Sequence, residues 1–157
     1  MVIISELLKS GCDILSGTVE NPRAEAEYLL CEIIKKDRLY LSVHKSSEIL
    51  PVQEKTFLEF CKRRSVGEPF AYIAGHREFM SLDFAVDKRV LIPRPETELL
   101  VETVIDNHKN AAPHILDVCT GSGAIACSLA AYIENAVVCG IDISEDALEV
   151  ARQNAKN

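Results

Sequence analysis

One stretch of the sequence decides the fold: residues 117–123 are Asp117-Val118-Cys119-Thr120-Gly121-Ser122-Gly123. The segment that leads into it, His114 to Val118, predicts a β-strand, and the nearly all-apolar segment that follows, Ala124 to Ile133, predicts a helix. Ala136 to Ile141 predicts a second strand, and a further helix begins at Glu145. A helix between two apolar strands indicates a parallel, doubly wound sheet with a right-handed crossover.

The turn between the first strand and its helix has the properties of a nucleoside-binding loop. Gly121 and Gly123 lack Cβ atoms, so a ligand can approach the backbone closely. The helix that follows offers unpaired N–H groups at its N-terminus. Asp142 ends the next strand, 19 residues after Gly123, where a carboxylate can accept both hydroxyls of an adenosine ribose. The competing interpretation is a tight strand–helix turn with an incidental surface aspartate.

Two nucleoside cofactors are compatible with this spacing. Residues 121–126 match Gly-x-Gly-x-x-Ala, the dinucleotide fingerprint, so an NAD-dependent oxidoreductase is one alternative. Asp117 ends the strand with a carboxylate, which favours a ligand that has an amine and a sulfonium cation. S-adenosyl-L-methionine is such a ligand.

The regions before this sheet predict two other structures. Residues 1–67 predict a helical domain, with Asn21-Pro22 as one helix start and Val52 to Val66 as another helix. Residues 68–93 predict a β-hairpin whose strands are residues 82–86 and 89–92, with a turn near Asp87-Lys88. Because this turn lacks glycine, we expect a loop longer than two residues.

Composition excludes several functional classes. The 157 residues have a net charge of −7, which argues against direct binding of nucleic acid. The longest apolar run is far too short to cross a bilayer, and the N-terminus lacks the basic start of a signal peptide, so we expect a cytoplasmic protein. The four histidines lack metal-ligand spacing, so we expect no metal site. The cysteines predicted to be small core residues are Cys12, Cys31, Cys61, Cys127 and Cys139.

Several motifs together resemble one enzyme family, the HemK/PrmC release-factor glutamine methyltransferases. The similar segments are Glu68-Pro69-x-x-Tyr72-Ile73-x-Gly75, Glu78-Phe79, Val90-Leu91-Ile92-Pro93-Arg94-Pro95-Glu96-Thr97-Glu98, residues 117–126 and Asp142-Ile143-Ser144. The resemblance implies a multi-domain α/β protein: a helical bundle over residues 1–67, a β-hairpin linker over 68–93, and the first part of a Rossmann-like methyltransferase domain over 94–157.

The resemblance also implies an activity and its partners. Such an enzyme uses S-adenosyl-L-methionine to methylate the side-chain amide of the glutamine in the Gly-Gly-Gln motif of class-one peptide chain release factors. The helical domain helps to dock the release factor. A non-catalytic module, in which the helical domain alone binds a protein, is a further alternative.

Residue roles follow from the same resemblance. Asp142 would hold the ribose diol, and Asp117 would lie near the methionine amine. Cys119 replaces a glycine that is common in the family, and it would be strained if its φ were positive. The residues that would line the methionine and ribose end are Cys119, Thr120, Gly121, Ser122 and Gly123. Those that would border the active site are Arg94, Pro95, Glu96 and Thr97, although helix capping alone also explains the proline and the glutamate.

One family motif is missing from the sequence. The resemblance implies that the catalytic residues belong to an Asn-Pro-Pro-Tyr motif two strands beyond Asp142. No Asn-Pro occurs after Asn107. We therefore expect a fragment that is inactive or nearly so by itself. Ile115 and Val118 are expected to face an unpaired sheet edge and an open core, which favours self-association.

Overall fold

The chain forms two compact units, Met1–Ala74 and Gly75–Asn157. A computed structural model describes residues 2–108 and 111–157. The first unit is helical and the second contains both sheets. Within the described residues, no helix combines the length and the apolar character that a membrane span requires.

From residue 2 onward, the first unit has five helices around one apolar core. The start of the second helix is confirmed, because the Asn21 side chain accepts a hydrogen bond from the backbone N–H of Ala24 at 3.1 Å. Phe57, Leu29 and Leu30 are fully buried in the core. The helices are α1 (Ile4–Leu15), α2 (Pro22–Ile34), α3 (Arg38–Val43), α4 (Pro51–Ser65) and α5 (Phe70–Ala74).

Helices α1 and α4 pack closely at Gly11. A Cβ atom at this glycine would lie 2.5 Å from Cζ of Phe57 and 3.2 Å from Sγ of Cys61. Both neighbours are fully buried, so neither can move without disturbing the core. Burial also raises the pKa of the Cys61 thiol to about 12, so this cysteine is a neutral core residue.

The second unit begins with a tight β-hairpin. Strand β1 (His76–Phe79) pairs antiparallel with β2 (Leu82–Ala85), so the turn is Met80-Ser81. The prediction that the hairpin turns at Asp87-Lys88 is therefore wrong, and so is the predicted strand at residues 89–92. Residues 87–90 form a local turn instead, in which the Asp87 carboxylate accepts hydrogen bonds from the backbone and the guanidinium of Arg89.

The hairpin turn has two residues, although neither is glycine. Met80 and Ser81 both adopt positive φ angles, 51° and 58°, as the two-residue turns that suit twisted hairpins require. Contacts from outside the hairpin fix this conformation: the Met80 N–H donates to Glu98 Oε1 at 2.8 Å, and the Tyr132 hydroxyl donates to the Met80 carbonyl at 2.5 Å. The expectation of a longer loop was made for a turn at Asp87-Lys88, which does not connect the strands; at the actual turn, tertiary contacts take the place of the usual glycine.

The strand–helix pattern predicted around residue 117 is confirmed. A 3₁₀ turn, Pro95–Thr97, precedes α6 (Glu98–His108), so Pro95 does begin this helical segment. Strands β3 and β4 then pair in parallel, with Asp117 opposite Gly140 and Val118 opposite Ile141. This order matches a partial Rossmann-like sheet. The elements are β3 (His114–Val118), α7 (Ala124–Tyr132), β4 (Val137–Ile141) and α8 (Glu145–Asn154).

The two faces of the β3–β4 sheet differ in burial. Ile115 and Val138 pack against the core cluster that contains Val101 and Leu129. Ile115 therefore does not face an open core as expected, because alternate residues of a strand point to opposite faces. Cys139 is exposed, so its prediction as a core residue is also wrong. The exposed apolar face consists of Leu116, Val118, Val137 and Ile141, which retain between 44% and 61% of their accessible surface.

The contact at Gly11 gives the first prediction. Gly11→Ala should lower the free energy of unfolding by about 1–2 kcal/mol, because a contact this short costs about 2–3 kcal/mol of overpacking, whereas the gain in helix propensity is about 1 kcal/mol. Chemical denaturation followed by circular dichroism measures the change. Ser10→Ala, at an exposed position of the same helix, is the control and should have little effect. A stabilised Gly11→Ala protein would contradict the packing described here.

Candidate functional site

The loop between β3 and α7 is tied to the end of β4 by one carboxylate. The backbone N–H of Gly121 donates to Asp142 Oδ2 at 2.9 Å, and the N–H of Ser144 donates to Oδ1 at 3.0 Å. These backbone hydrogen bonds lower the pKa of Asp142 below its usual value, because they stabilise the charged form. The glycine-rich loop and the acidic residue at the end of the next strand, both identified in the sequence, are therefore in direct contact.

Asp117 and Thr120 form a second contact within the loop. The Thr120 hydroxyl donates to Asp117 Oδ2 at 2.6 Å, and the Thr120 N–H donates to the carbonyl of Ile141 at 3.0 Å. The Thr120 side chain occupies the space over Gly140, where a Cβ atom would lie 2.8 Å from its oxygen. A larger residue at position 140 would therefore displace the Thr120 side chain and break its hydrogen bond to Asp117.

Positive φ angles recur through the loop. Cys119, Gly121 and Gly123 have φ angles of 65°, 56° and 79°. The glycines adopt this conformation without steric strain, whereas the Cβ atom of Cys119 makes the same conformation strained. Gly123 also lets α8 approach, because a Cβ atom there would lie 3.2 Å from Cβ of Ala151.

The loop borders a cleft of about 160 Å³ in the second unit. The segment before α6 forms its other wall, and this brings Arg94 and Thr97 next to the loop. Pro95 and Glu96 do not line the cleft, which matches a capping role for these two residues. From the loop, Cys119, Thr120, Gly121 and Ser122 line it.

A larger cavity also borders the loop at Thr120. Its volume is about 390 Å³, and α7, β4 and α8 enclose it. Asp142, Thr120 and Gly123 contribute to its lining, together with alanines of the two helices. Ligand pockets commonly measure about 300–1,000 Å³, so the small cleft can enclose only one end of an adenosyl cofactor.

Comparison with known proteins identifies two domains in the chain. A model of the PrmC N-terminal domain matches residues 6–75, and a model described as a methyltransferase domain matches residues 109–157. Proteins named release factor glutamine methyltransferase match nearly the whole chain. The one from Aliivibrio fischeri is 42% identical over 98% of this chain, and the one from Coxiella burnetii is 41% identical over 99%.

This chain belongs to the HemK/PrmC family. It spans about half the length of the curated relatives it matches: 54% of the Aliivibrio fischeri protein and 57% of the Coxiella burnetii protein. The family resemblance drawn from the motifs is thus confirmed. The dinucleotide alternative rested on residues 121–126 alone, and both matched proteins are named as methyltransferases.

Sequence reasoning missed one residue that supports the loop of the site, Asn154. This buried residue ends α8, and its side-chain amide donates to the carbonyl of Ser122 at 2.8 Å. A faint signal existed in the sequence: Asn154 lies on the same helical face as the buried Ala147 and Val150, where a polar side chain needs a partner. Its partners are distant along the chain, so the sequence could not identify them.

The strained φ at Cys119 gives the second prediction. Cys119→Gly should raise the free energy of unfolding by about 0.5–1 kcal/mol, because glycine adopts positive φ without a steric penalty. Denaturant unfolding measures the change. Cys119→Ala is the matched control: it removes the exposed thiol but keeps the Cβ atom, so its stability should stay close to that of the wild type. Equal stabilisation by both variants would show that the thiol, not the backbone, is the source of the strain.

Proposed function

We propose that this chain provides the cofactor loop of an S-adenosyl-L-methionine-dependent enzyme that methylates the glutamine of the Gly-Gly-Gln motif in class-one peptide chain release factors. The observation that supports it most directly is the hydrogen bond from Gly121 to Asp142, which joins the glycine loop to the acid at the end of the next strand. The names of the relatives supply the reaction and the substrate.

Asp142 is suited to hold the ribose of the cofactor. Each of its carboxylate oxygens accepts one backbone hydrogen bond, and a carboxylate has about four lone-pair sites. Two sites therefore remain for the vicinal hydroxyl groups. An aspartate is ionised at neutral pH, and the lowered pKa of Asp142 extends this state to more acidic pH, so the carboxylate can accept from both hydroxyls.

Asp117 is suited to the amine of the methionine moiety. Thr120 fixes one carboxylate oxygen by its hydroxyl, and the negative charge attracts an ammonium group. The residues from Cys119 to Gly123 then line the methionine and ribose end. In this proposal Arg94 and Thr97 form the outer wall of the small cleft and border the site of methyl transfer.

The proposal assigns separate roles to the two units. The helical unit docks the release factor, and the second unit holds the cofactor. Because release factors act on cytoplasmic ribosomes, the proposal places the protein in the cytoplasm. We assign the expected self-association to the exposed apolar sheet face that includes Leu116 and Val118, and not to Ile115, which is in the core.

Cofactor binding gives the third prediction. Calorimetric titration should show that the chain binds S-adenosylhomocysteine, and Asp142→Asn should weaken this binding about 10- to 100-fold, because a charged hydrogen bond contributes about 1.5–3 kcal/mol. Asp146→Asn removes an exposed carboxylate four residues away in the same segment and should leave the affinity unchanged. Tight binding of NAD without a response to S-adenosylhomocysteine would reverse the assignment of the cofactor.

Methyl transfer gives the fourth prediction. A chimera that continues this chain with the unmatched part of the Coxiella burnetii relative should label a release factor from methyl-labelled S-adenosyl-L-methionine. A release factor whose motif glutamine is changed to alanine should receive no label, because the acceptor amide is absent. Equal labelling of the two release factors would refute the proposed substrate. The chimera with Asp142→Asn serves as the control for cofactor dependence.

A further inference from the structure

Asn154 connects three parts of the second unit through one side chain. It lies at the end of α8 with 7% of its surface exposed. Its Nδ2 group donates to the carbonyl of Ser122 at 2.8 Å and to the carbonyl of Ala85 at 3.0 Å, and its Oδ1 accepts from the N–H of Ala85 at 2.8 Å. Both amide hydrogens and the carbonyl oxygen of this side chain are therefore used.

The two bonds to Ala85 join Asn154 to the hairpin. Ala85 ends β2, and both its N–H and its carbonyl bind the same side chain. The asparagine amide thus pairs with this residue as the peptide group of a neighbouring strand would. A displacement of β2 at this point would pull on Asn154 directly.

The third bond fixes the peptide group between Ser122 and Gly123. Asn154 holds its carbonyl, and its N–H donates to the carbonyl of Thr120 at 2.9 Å. Ser122 is buried, so a carbonyl that lost Asn154 would have to find another partner or rotate. Because residue 123 is a glycine, its φ can move away from 79° without a steric penalty, which makes this rotation easy.

We propose that Asn154 is a positioning residue for the loop: its side chain holds Ser122 and β2 in one arrangement and thereby sets the shape of the loop that borders the cleft. The inference rests on the proposed function only where it assigns this loop to the cofactor. Asn154 does not line the small cleft, and the hydrogen bond that Asp142 accepts from the loop comes from Gly121. An effect of Asn154 on a ligand is therefore exerted through the backbone of the loop.

The test compares variants of Asn154 in the complete chain. Asn154→Ala removes all three bonds. Asn154→Asp keeps an acceptor for the Ala85 N–H but places oxygen atoms against the two carbonyls. Val150→Ala is the matched control, because it removes buried atoms from the same helix and leaves the three hydrogen bonds of Asn154 in place. Two readouts are measured: the dissociation constant of S-adenosylhomocysteine, and the nuclear magnetic resonance shift and hydrogen exchange of the Gly123 and Ala85 amides.

The expected pattern separates positioning from general destabilisation. Asn154→Ala should weaken S-adenosylhomocysteine binding about tenfold, shift the Gly123 amide signal and speed exchange at Ala85. Asn154→Asp should shift Gly123 but leave the Ala85 amide protected. Val150→Ala should lower the melting temperature while its affinity and its Gly123 shift stay like those of the wild type.

Other results overturn the inference. An unchanged Gly123 signal in Asn154→Ala, or an equal loss of affinity in Val150→Ala, would show that Asn154 only adds stability. If Asn154→Ala does not fold, Asn154→Asp provides the same comparison at Gly123. If the wild-type chain does not bind S-adenosylhomocysteine, the proposed function fails, whereas the amide signals still decide whether Asn154 holds the loop.

Discussion

The carboxylate of Asp142 accepts hydrogen bonds from two backbone N–H groups that lie 23 residues apart along the chain, those of Gly121 and Ser144. Parallel pairing of β3 and β4 makes this possible, because the carboxyl ends of both strands reach the same edge of the sheet. This one carboxylate therefore joins the loop before α7 to the segment that begins α8. The position of the loop relative to the end of β4 depends on these two hydrogen bonds, which also lower the pKa of Asp142.

Elsewhere in the second unit, side chains from distant segments of the chain fix the backbone of loops and turns. Glu98 and Tyr132 bind the Met80 peptide groups of the hairpin turn, and Asn154 binds Ser122. In each case a polar side chain satisfies a backbone group that no strand or helix ladder reaches. The shape of the hairpin turn therefore depends on side chains of α6 and α7, and that of the glycine loop depends on a side chain of α8.

The sequence was sufficient for those parts of the fold that depend on local periodicity and composition. The strand from His114 to Val118, the helix after Gly123 and the cap at Ser144, which accepts from the N–H of Ala147, all follow from such patterns. The prediction of the hairpin turn was wrong because Met80 and Ser81 adopt positive φ angles under tertiary contacts that no local pattern encodes. The proximity of Arg94 to the loop was expected from family resemblance, whereas the bond from Asn154 to Ser122 depends on three-dimensional packing alone.

The contact between Gly140 and Thr120 has an evolutionary consequence. An alanine at position 140 would press on the threonine from 2.8 Å, and a smaller residue at position 120 would release Asp117. A substitution at one of these positions therefore changes the space or the hydrogen bond available to the next. We expect epistasis among residues 117, 120 and 140, so that lineages that diverge in this loop exchange these residues together.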